Sequence, residues 1–490
     1  MEGHLSISEN GKTVMGIYNT DYAIDVTIPE GVTAISHNAF ENCSQLRSIK
    51  IPSSVSFIGC EAFKGCSSLK DIIIPEGVSL INHGTFMDCS SLEFLKVPNN
   101  VETIEYDAFS GCSSLKEIYL PDNLKNIGVR CFKDCSSLLY FACPKEMTTI
   151  KEYTFSGCSS LEVINIESII TIEKYAFCGC SSLQRIDLPD SLTYIDCGIF
   201  QDCTSIKSIW IPENVTTIGD SAFCGTSIRR IIIPHKVTSI GTLAFQGCIY
   251  LQNIVIPKCV KSIGWGAFEG CASIQTVDIP NSVNHIGGSA FSACESLQSI
   301  NIPNTIKCIE TETFSECKSL TSIIIPNSVT YISAWAFNNC SSLQSIVIPD
   351  VATKIEKYLF SGCSSLQRIV IPSKVTHICE GAFCDCSSLK EIVMPETISF
   401  IGKWAFSNCT ILESITIPHS ISYIGSHAFS GCSSMNTLYL QIDSLGGIKI
   451  EDDAFEDDIL YNCTLIVSSR FWFYDLHPVL KKFKHVKIEK

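Results

Sequence analysis

The stretch Leu343-Gln-Ser-Ile346-Val-Ile348-Pro349-Asp-Val-Ala-Thr-Lys-Ile355-Glu-Lys-Tyr-Leu-Phe360-Ser-Gly-Cys363 decides the fold. Its first half reads as a short strand. Side chains alternate along a strand, so Ile346 and Ile348 point inward and Val347 outward. Pro349 ends the strand because it brings no N–H to a ladder. A second apolar pair, Ala352 and Ile355 here but more often Val and Ile as in Val329 and Ile332, turns the chain across the core. The Ala-Phe pair, typified by Ala336-Phe337, is expected on a helical turn. The Cys-Ser-Ser-Leu segment then returns the chain to the next strand.

The same unit recurs every 23 residues. Proline follows an apolar residue at Pro29, Pro52, Pro75, Pro98, Pro121 and Pro144, then at Pro189 and Pro212, and in steps of 23 from Pro234 to Pro418. A phenylalanine stands eleven residues after each, from Phe40 to Phe429, and a cysteine usually three later. Only Pro478 of the 18 prolines falls outside this rule. A fixed period of this length means a solenoid, whose units bury their apolar faces by stacking. The expectation is an α/β repeat solenoid, a right-handed superhelix of 18 to 19 coils capped at both ends. One parallel β-sheet, on the order of 90 Å long at about 4.8 Å per strand, should line a concave face, with short helical turns on the convex face.

The pattern slips in three places. Glu167 replaces a proline, and the segment from it to Phe177 is one residue short. A residue and the repeat cysteine are missing between Phe223 and Pro234, where the chain reads Cys224-Gly225-Thr226. Near the end, Phe455 arrives late after an insertion at Asp443–Gly447. The first two read as local bends and the third as the approach to a cap.

Composition narrows the function classes. The formal net charge of −15 leaves no basic stripe to neutralise phosphates, so no nucleic-acid partner is expected. Lys481, Lys482, Lys484 and Lys487 form the one basic cluster and read as a solvated face. No run approaches the roughly 18 to 20 apolar residues of a membrane span. Met1–Asn10 carries Glu2, His4 and Glu9 and no apolar core, so no secretory leader is read there.

At these residues the chain resembles the BspA-like, Treponema-type leucine-rich repeat proteins. Their unit runs Leu-x-x-Ile-x-Ile-Pro-x-x-Val-x-x-Ile-Gly-x-x-Ala-Phe-x-x-Cys, matched by Leu297–Cys317 and Leu320–Cys340. The resemblance covers residues 23–440 and implies caps on either side, 1–22 and 441–490. Leu5–Val14, turning at Asn10-Gly11, is similar to the family's N-terminal capping pair. Asn462–Val467, Phe471–Phe483 and Val486–Ile488 are similar to its C-terminal cap. The family implies cell-surface or secreted proteins of bacteria and some protists that adhere to host proteins or other cells. It implies no cofactor and no defined ligand.

Seventeen of the 28 cysteines, from Cys43 to Cys432, share one repeat position. Structural zinc needs four converging ligands, whereas ladder positions point in parallel. Parallel side chains also fit the disulfide dihedral poorly. The expectation is a ladder of free buried thiols acting as small hydrophobes, comfortable in a reducing or anaerobic setting. Cys178-Gly-Cys180 and Cys384-Asp-Cys386 lack the second pair that a metal site requires. No metal or cofactor is expected.

No nucleophile elbow, phosphate loop or paired-histidine metal motif occurs, so the chain is read as no enzyme. The informative surface is the outward residue between the two isoleucines. That column holds Tyr119, Trp210, Ile232 and Val255, is interrupted by Asp278 and Asn301, and continues as Ile324, Val347, Val370 and Val393. Thr416 and Tyr439 follow. β-branched residues there stabilise a parallel ladder with or without a partner. Four adjacent outward aliphatics, flanked by Ser322, Ser345, Arg368 and Glu391, also have the form of a protein-contact strip. A second aromatic set, Tyr153, Tyr175, Trp335, Tyr358 and Trp404, reads as packing between coils. The expected function is a monomeric, protein-binding surface adhesin whose concave sheet meets a host extracellular-matrix or cell-surface protein. An intracellular interaction scaffold is the alternative.

Overall fold

Each 23-residue unit closes into one coil whose apolar side chains fill a continuous interior. The computed structural model describes residues 4–18, 24–441, 448–468 and 477–489. The chain forms two compact units, Met1–Val237 and Thr238–Lys490.

Two parallel ladders run along each unit. The first is the expected one, at the Ile-x-Ile strand. In the first unit it pairs Asp25–Thr27 with Ser48–Lys50, Phe94–Lys96 with Glu117–Tyr119, and Tyr140–Ala142 with Val163–Asn165. In the second it includes Ser322–Ile323 with Ser345–Ile346 and Arg368–Val370 with Glu391–Val393. The second ladder lies at the Val-x-x-Ile segment. There Lys354–Ile355, His377–Ile378, Phe400–Ile401, Tyr423–Ile424 and Lys449–Ile450 join in register. The single long sheet expected from the sequence is therefore replaced by two rows of short ladders. Strands of two to four residues hold few hydrogen bonds, so the pairing is intermittent. Proline sits between the rows and opens a turn, its carbonyl accepting the N–H three residues on, as from Val329 to Pro326 (3.0 Å).

The helical turns expected around the Ala-Phe pair do not form. Two residues before and two after each repeat phenylalanine the backbone is left-handed, as at Asn38 and Asn42 (φ 59° each) and at Trp335 and Asn339 (64° and 56°). A right-handed helix does not accommodate two such residues four apart. Instead three N–H groups per coil reach forward to the next coil. Tyr358 donates to the Glu380 carbonyl, Phe360 to Ala382 and Gly362 to Cys384, at 2.7–2.9 Å. Among the described residues, helix is confined to Asp457–Asn462 and a 3-10 turn at Leu480–Lys482.

The phenylalanines form the spine of each core. Phe40 to Phe223 in the first unit and Phe245 to Phe455 in the second are fully or almost fully buried, with successive ring centroids 5.2–6.0 Å apart. Burial of one such side chain is worth about 1.5–3 kcal/mol, and offset stacking adds to it. Phe455, late in sequence, still stacks on Phe429 at 5.2 Å. The insertion before it and the start of Phe471–Phe483 lie outside the described residues. At the N-terminal end His4–Ile7 and Thr13–Tyr18 make an antiparallel hairpin turning at Gly11 (φ 71°), and Thr13–Val14 pairs onward with Ala34–Ile35. At the C-terminal end Thr464–Ser468 bridges Thr437–Leu440 and His485–Glu489.

Candidate functional site

The outward column of the first ladder stands in solvent. In the second unit Ile324 and Val347 are 84% and 80% exposed, and Val370 and Val393 are 54% and 40%. Val370 and Val393 are direct register partners. Beside them the Arg368 guanidinium meets Glu391 at 3.3 Å, closing one edge of the strip with an ion pair. Ser322 and Ser345, also in register, flank Ile324 and Val347. Val255 is exposed in its own ladder, where Asp278 is its register partner. Tyr439 differs from the rest: it is half-buried between its register partners Thr416 and Ile466.

In the first unit Tyr119, Trp210 and Ile232 are exposed, and the Tyr119 hydroxyl donates to Glu117 at 2.8 Å. Four further apolar residues of this face were not singled out from the sequence. Ile73 occupies the same repeat position and is 84% exposed. Phe94, Tyr140 and Val163 are exposed one alternation earlier on their strands, on the same face. The two-residue alternation that marked Val347 marks these positions equally.

The thiols are structural. All 28 cysteines are free, and the ladder thiols are buried. They are hydrogen-bond donors as well as small hydrophobes. Cys363 donates to the Phe337 carbonyl of the preceding coil at 3.2 Å, and the pattern repeats from Cys66 to Cys432 at 3.1–3.3 Å. Burial pushes the Cys294 and Cys340 thiols up to about 12, so they are neutral donors at pH 7 rather than nucleophiles. Among the described residues no three His, Cys, Asp or Glu side chains gather as metal ligands would.

The histidines brace adjacent coils. His83 stacks on Tyr106 at 3.8 Å, and His235, His419 and His427 face Glu213, Glu396 and Asp453. The second aromatic set braces coils too. Tyr153 stacks on Tyr175 (4.9 Å) and Trp335 on Tyr358 (4.2 Å). The Tyr358 ring lies over Gly381, where a Cβ would come within 2.2 Å of it, so only glycine fits.

This architecture is that of a repeat protein whose chemistry lies in its outward residues. The chain belongs to the BspA-type leucine-rich repeat family, whose model of that region matches residues 17–139, 125–252, 243–367 and 353–470. Leucine-rich repeat proteins of this kind generally act by binding proteins. Among solved structures, a leucine-rich repeat protein from Bacteroides ovatus is 26% identical over 92% of this chain and 98% of its own, with a TM-score of 0.44. The T. pallidum leucine-rich repeat protein is 29% identical over 37% of this chain and 87% of its own, with a TM-score of 0.34. A leucine-rich cell surface protein from Faecalibacterium prausnitzii is 22% identical over 90% and 93%, with a TM-score of 0.33. No curated protein matches the chain significantly. No helix among the described residues is long and apolar enough to cross a membrane.

Proposed function

We propose that this protein is a non-enzymatic, adhesin-like surface protein that binds a host extracellular-matrix or cell-surface protein through the outward column of its first ladder. One observation carries the reading: four consecutive coils each present an exposed aliphatic residue, Ile324, Val347, Val370 and Val393, at one repeat position. Contiguous apolar surface rimmed by polar side chains is the form of a protein-contact site. Membership of the BspA-type class supports adhesion as its use. The test is Val347→Asp combined with Val370→Asp, compared with the wild type for binding to a panel of immobilised extracellular-matrix proteins. Loss of binding with unchanged far-UV circular dichroism is expected; unaltered binding by the folded variant removes the site. Protease shaving of intact cells, followed by peptide identification, tests the location.

An intracellular scaffold using the same strip is the second reading, favoured by the free thiols. Alkylation of native protein followed by mass spectrometry separates the two. Numerous disulfides exclude a reduced intracellular scaffold.

A further inference from the structure

Strand pairing in the first ladder is intermittent in both units, and two of its gaps fall between Glu117 and Leu188. No strand pairing joins Glu117–Tyr119 to Tyr140–Ala142, nor Val163–Asn165 to the next coil at Arg185–Leu188. Two local irregularities lie in this stretch. Phe141 fills an inward position that isoleucine occupies in most coils, its ring edge-on to Phe132 and Phe155 at 5.2 and 4.6 Å. Glu167 stands where proline otherwise ends the strand, at the start of the shortened segment.

Here lies a hollow of about 520 Å³ whose lining includes Tyr119, Tyr140, Glu117, Asp122 and Glu167. It adjoins a second hollow of about 440 Å³, which shares Asn165 and Glu167 with it and adds Asp187 and Asp190. Tyr119 and Tyr140 are more than half exposed here. Several carboxylates elsewhere in this unit pair with cations one coil away, as Glu93 with Lys116, Glu102 with Lys125 and Asp107 with Arg130. Of the described carboxylates that line the hollows, Asp187 alone is in an ion pair. Among the described residues Asp122, Glu167 and Asp190 belong to no ion pair. Two cations line the region, Lys145 and Arg185, and Arg185 is already held by Asp187 at 3.0 Å.

We infer that this double hollow binds an extended basic segment of a partner protein, its Lys or Arg side chains meeting Glu117, Asp122, Glu167 and Asp190. The stems of those side chains would lie on the Tyr119 and Tyr140 rings. Unpaired carboxylates beside exposed aromatic faces match a cation carried on an apolar stem. Parted strands leave backbone groups available to an extended chain. The site differs in chemistry and place from the aliphatic strip of the second unit, and it stands whether or not that strip binds anything.

The experiment is fluorescence anisotropy of the full chain with a short labelled peptide alternating lysine with leucine. Glu167→Gln with Asp190→Asn should weaken binding roughly tenfold. Glu102→Gln with Glu413→Gln removes as much charge outside the hollows and should change it less than about twofold. Tyr140→Ser, which leaves the charge untouched, should weaken binding roughly fivefold. Equal losses in the two charge variants would mean binding to the acidic surface at large and overturn the proposal, as would an unchanged Tyr140→Ser. Binding of a neutral oligosaccharide with none of the peptide also overturns it. Circular dichroism of each variant confirms that it is folded.

Discussion

The ladder faces at Glu117–Asp190 in the first unit and at Ser322–Val393 in the second are built from the same repeat and differ in their outward chemistry. The second-unit face presents one aliphatic residue per coil between serines and a closed Arg368–Glu391 pair. The first-unit face presents tyrosines and unpaired carboxylates around two hollows. The inward positions, Leu, Ile, Ile and Phe, are held nearly constant by the need to stack, while the outward ones carry no such constraint. Where spacing is regular, an aliphatic strip results. Around Phe141 and the short segment after Glu167 two hollows line the face instead.

The sharpest break of this comparison is at the core. Phe383→Ala in the second unit removes a ring stacked on both sides (5.6 and 5.5 Å) and should cost about 3–5 kcal/mol in urea unfolding. Phe141→Ala should cost about as much. Phe141→Ile writes the common residue into the irregular coil and should cost less than about 1.5 kcal/mol. If Phe141→Ile is as damaging as Phe141→Ala, the irregular coil depends on its aromatic ring and the two faces have different cores, not only different surfaces.

The thiols should fail to separate the faces. In both units burial raises the ladder thiols, to about 12 at Cys43 in the first and at Cys294, Cys340 and Cys432 in the second, above the ordinary 9.0. Above pH 9 the unfolded chain loses thiol protons that the folded chain retains, so stability is intact below pH 9 and falls as pH rises toward 12. The unfolding midpoint, followed by circular dichroism, should decline over that window. A midpoint flat from pH 9 to 12 contradicts the buried neutral ladder.

Smaller effects sharpen the contrast in charge. Asp107 is buried and accepts two hydrogen bonds from Arg130 at 2.9 Å, so Asp107→Ala should cost about 1–3 kcal/mol. Glu295→Ala breaks a half-exposed pair with Lys318 and should cost less than about 1 kcal/mol by the same urea titration. Equal losses would mean that coil-to-coil pairs contribute alike whatever their burial.

Most of the coil was legible in the sequence because Pro, Phe and Cys recur at fixed spacing and each has one physical use. The left-handed positions were not. Asn38, Glu61, Arg130, Tyr153, Leu243 and Trp335 share one backbone conformation and no chemistry. The demand there comes from hydrogen bonds to the next coil, which a single unit does not display. For the same reason the Ala-Phe segment read as helical. The thiols' bonds to Phe carbonyls and the interrupted strand pairing likewise depend on a neighbouring coil. Phe94, Tyr140 and Val163 obey the same alternation, each two residues before the outward residue of the column.

The forward-reaching N–H groups of the Phe segment all point the same way along their unit. In the second unit the final coil completes the series. His427 and Phe429 donate to the Asp453 and Ala454 carbonyls, and Gly431 to the Glu456 carboxylate at 3.1 Å. The Ser430 hydroxyl also donates to that carboxylate. These bonds hold the Glu456 carboxyl below its ordinary range. Coils inside the row repeat one pattern of backbone donors, but the terminus does not. A whole period inserted or excised keeps the backbone bonding of the row in phase, whereas a cut that sheds Glu451–Glu456 strands three N–H donors and the Ser430 hydroxyl at once. The chain thus has an arrow, and its length is adjustable only between fixed ends.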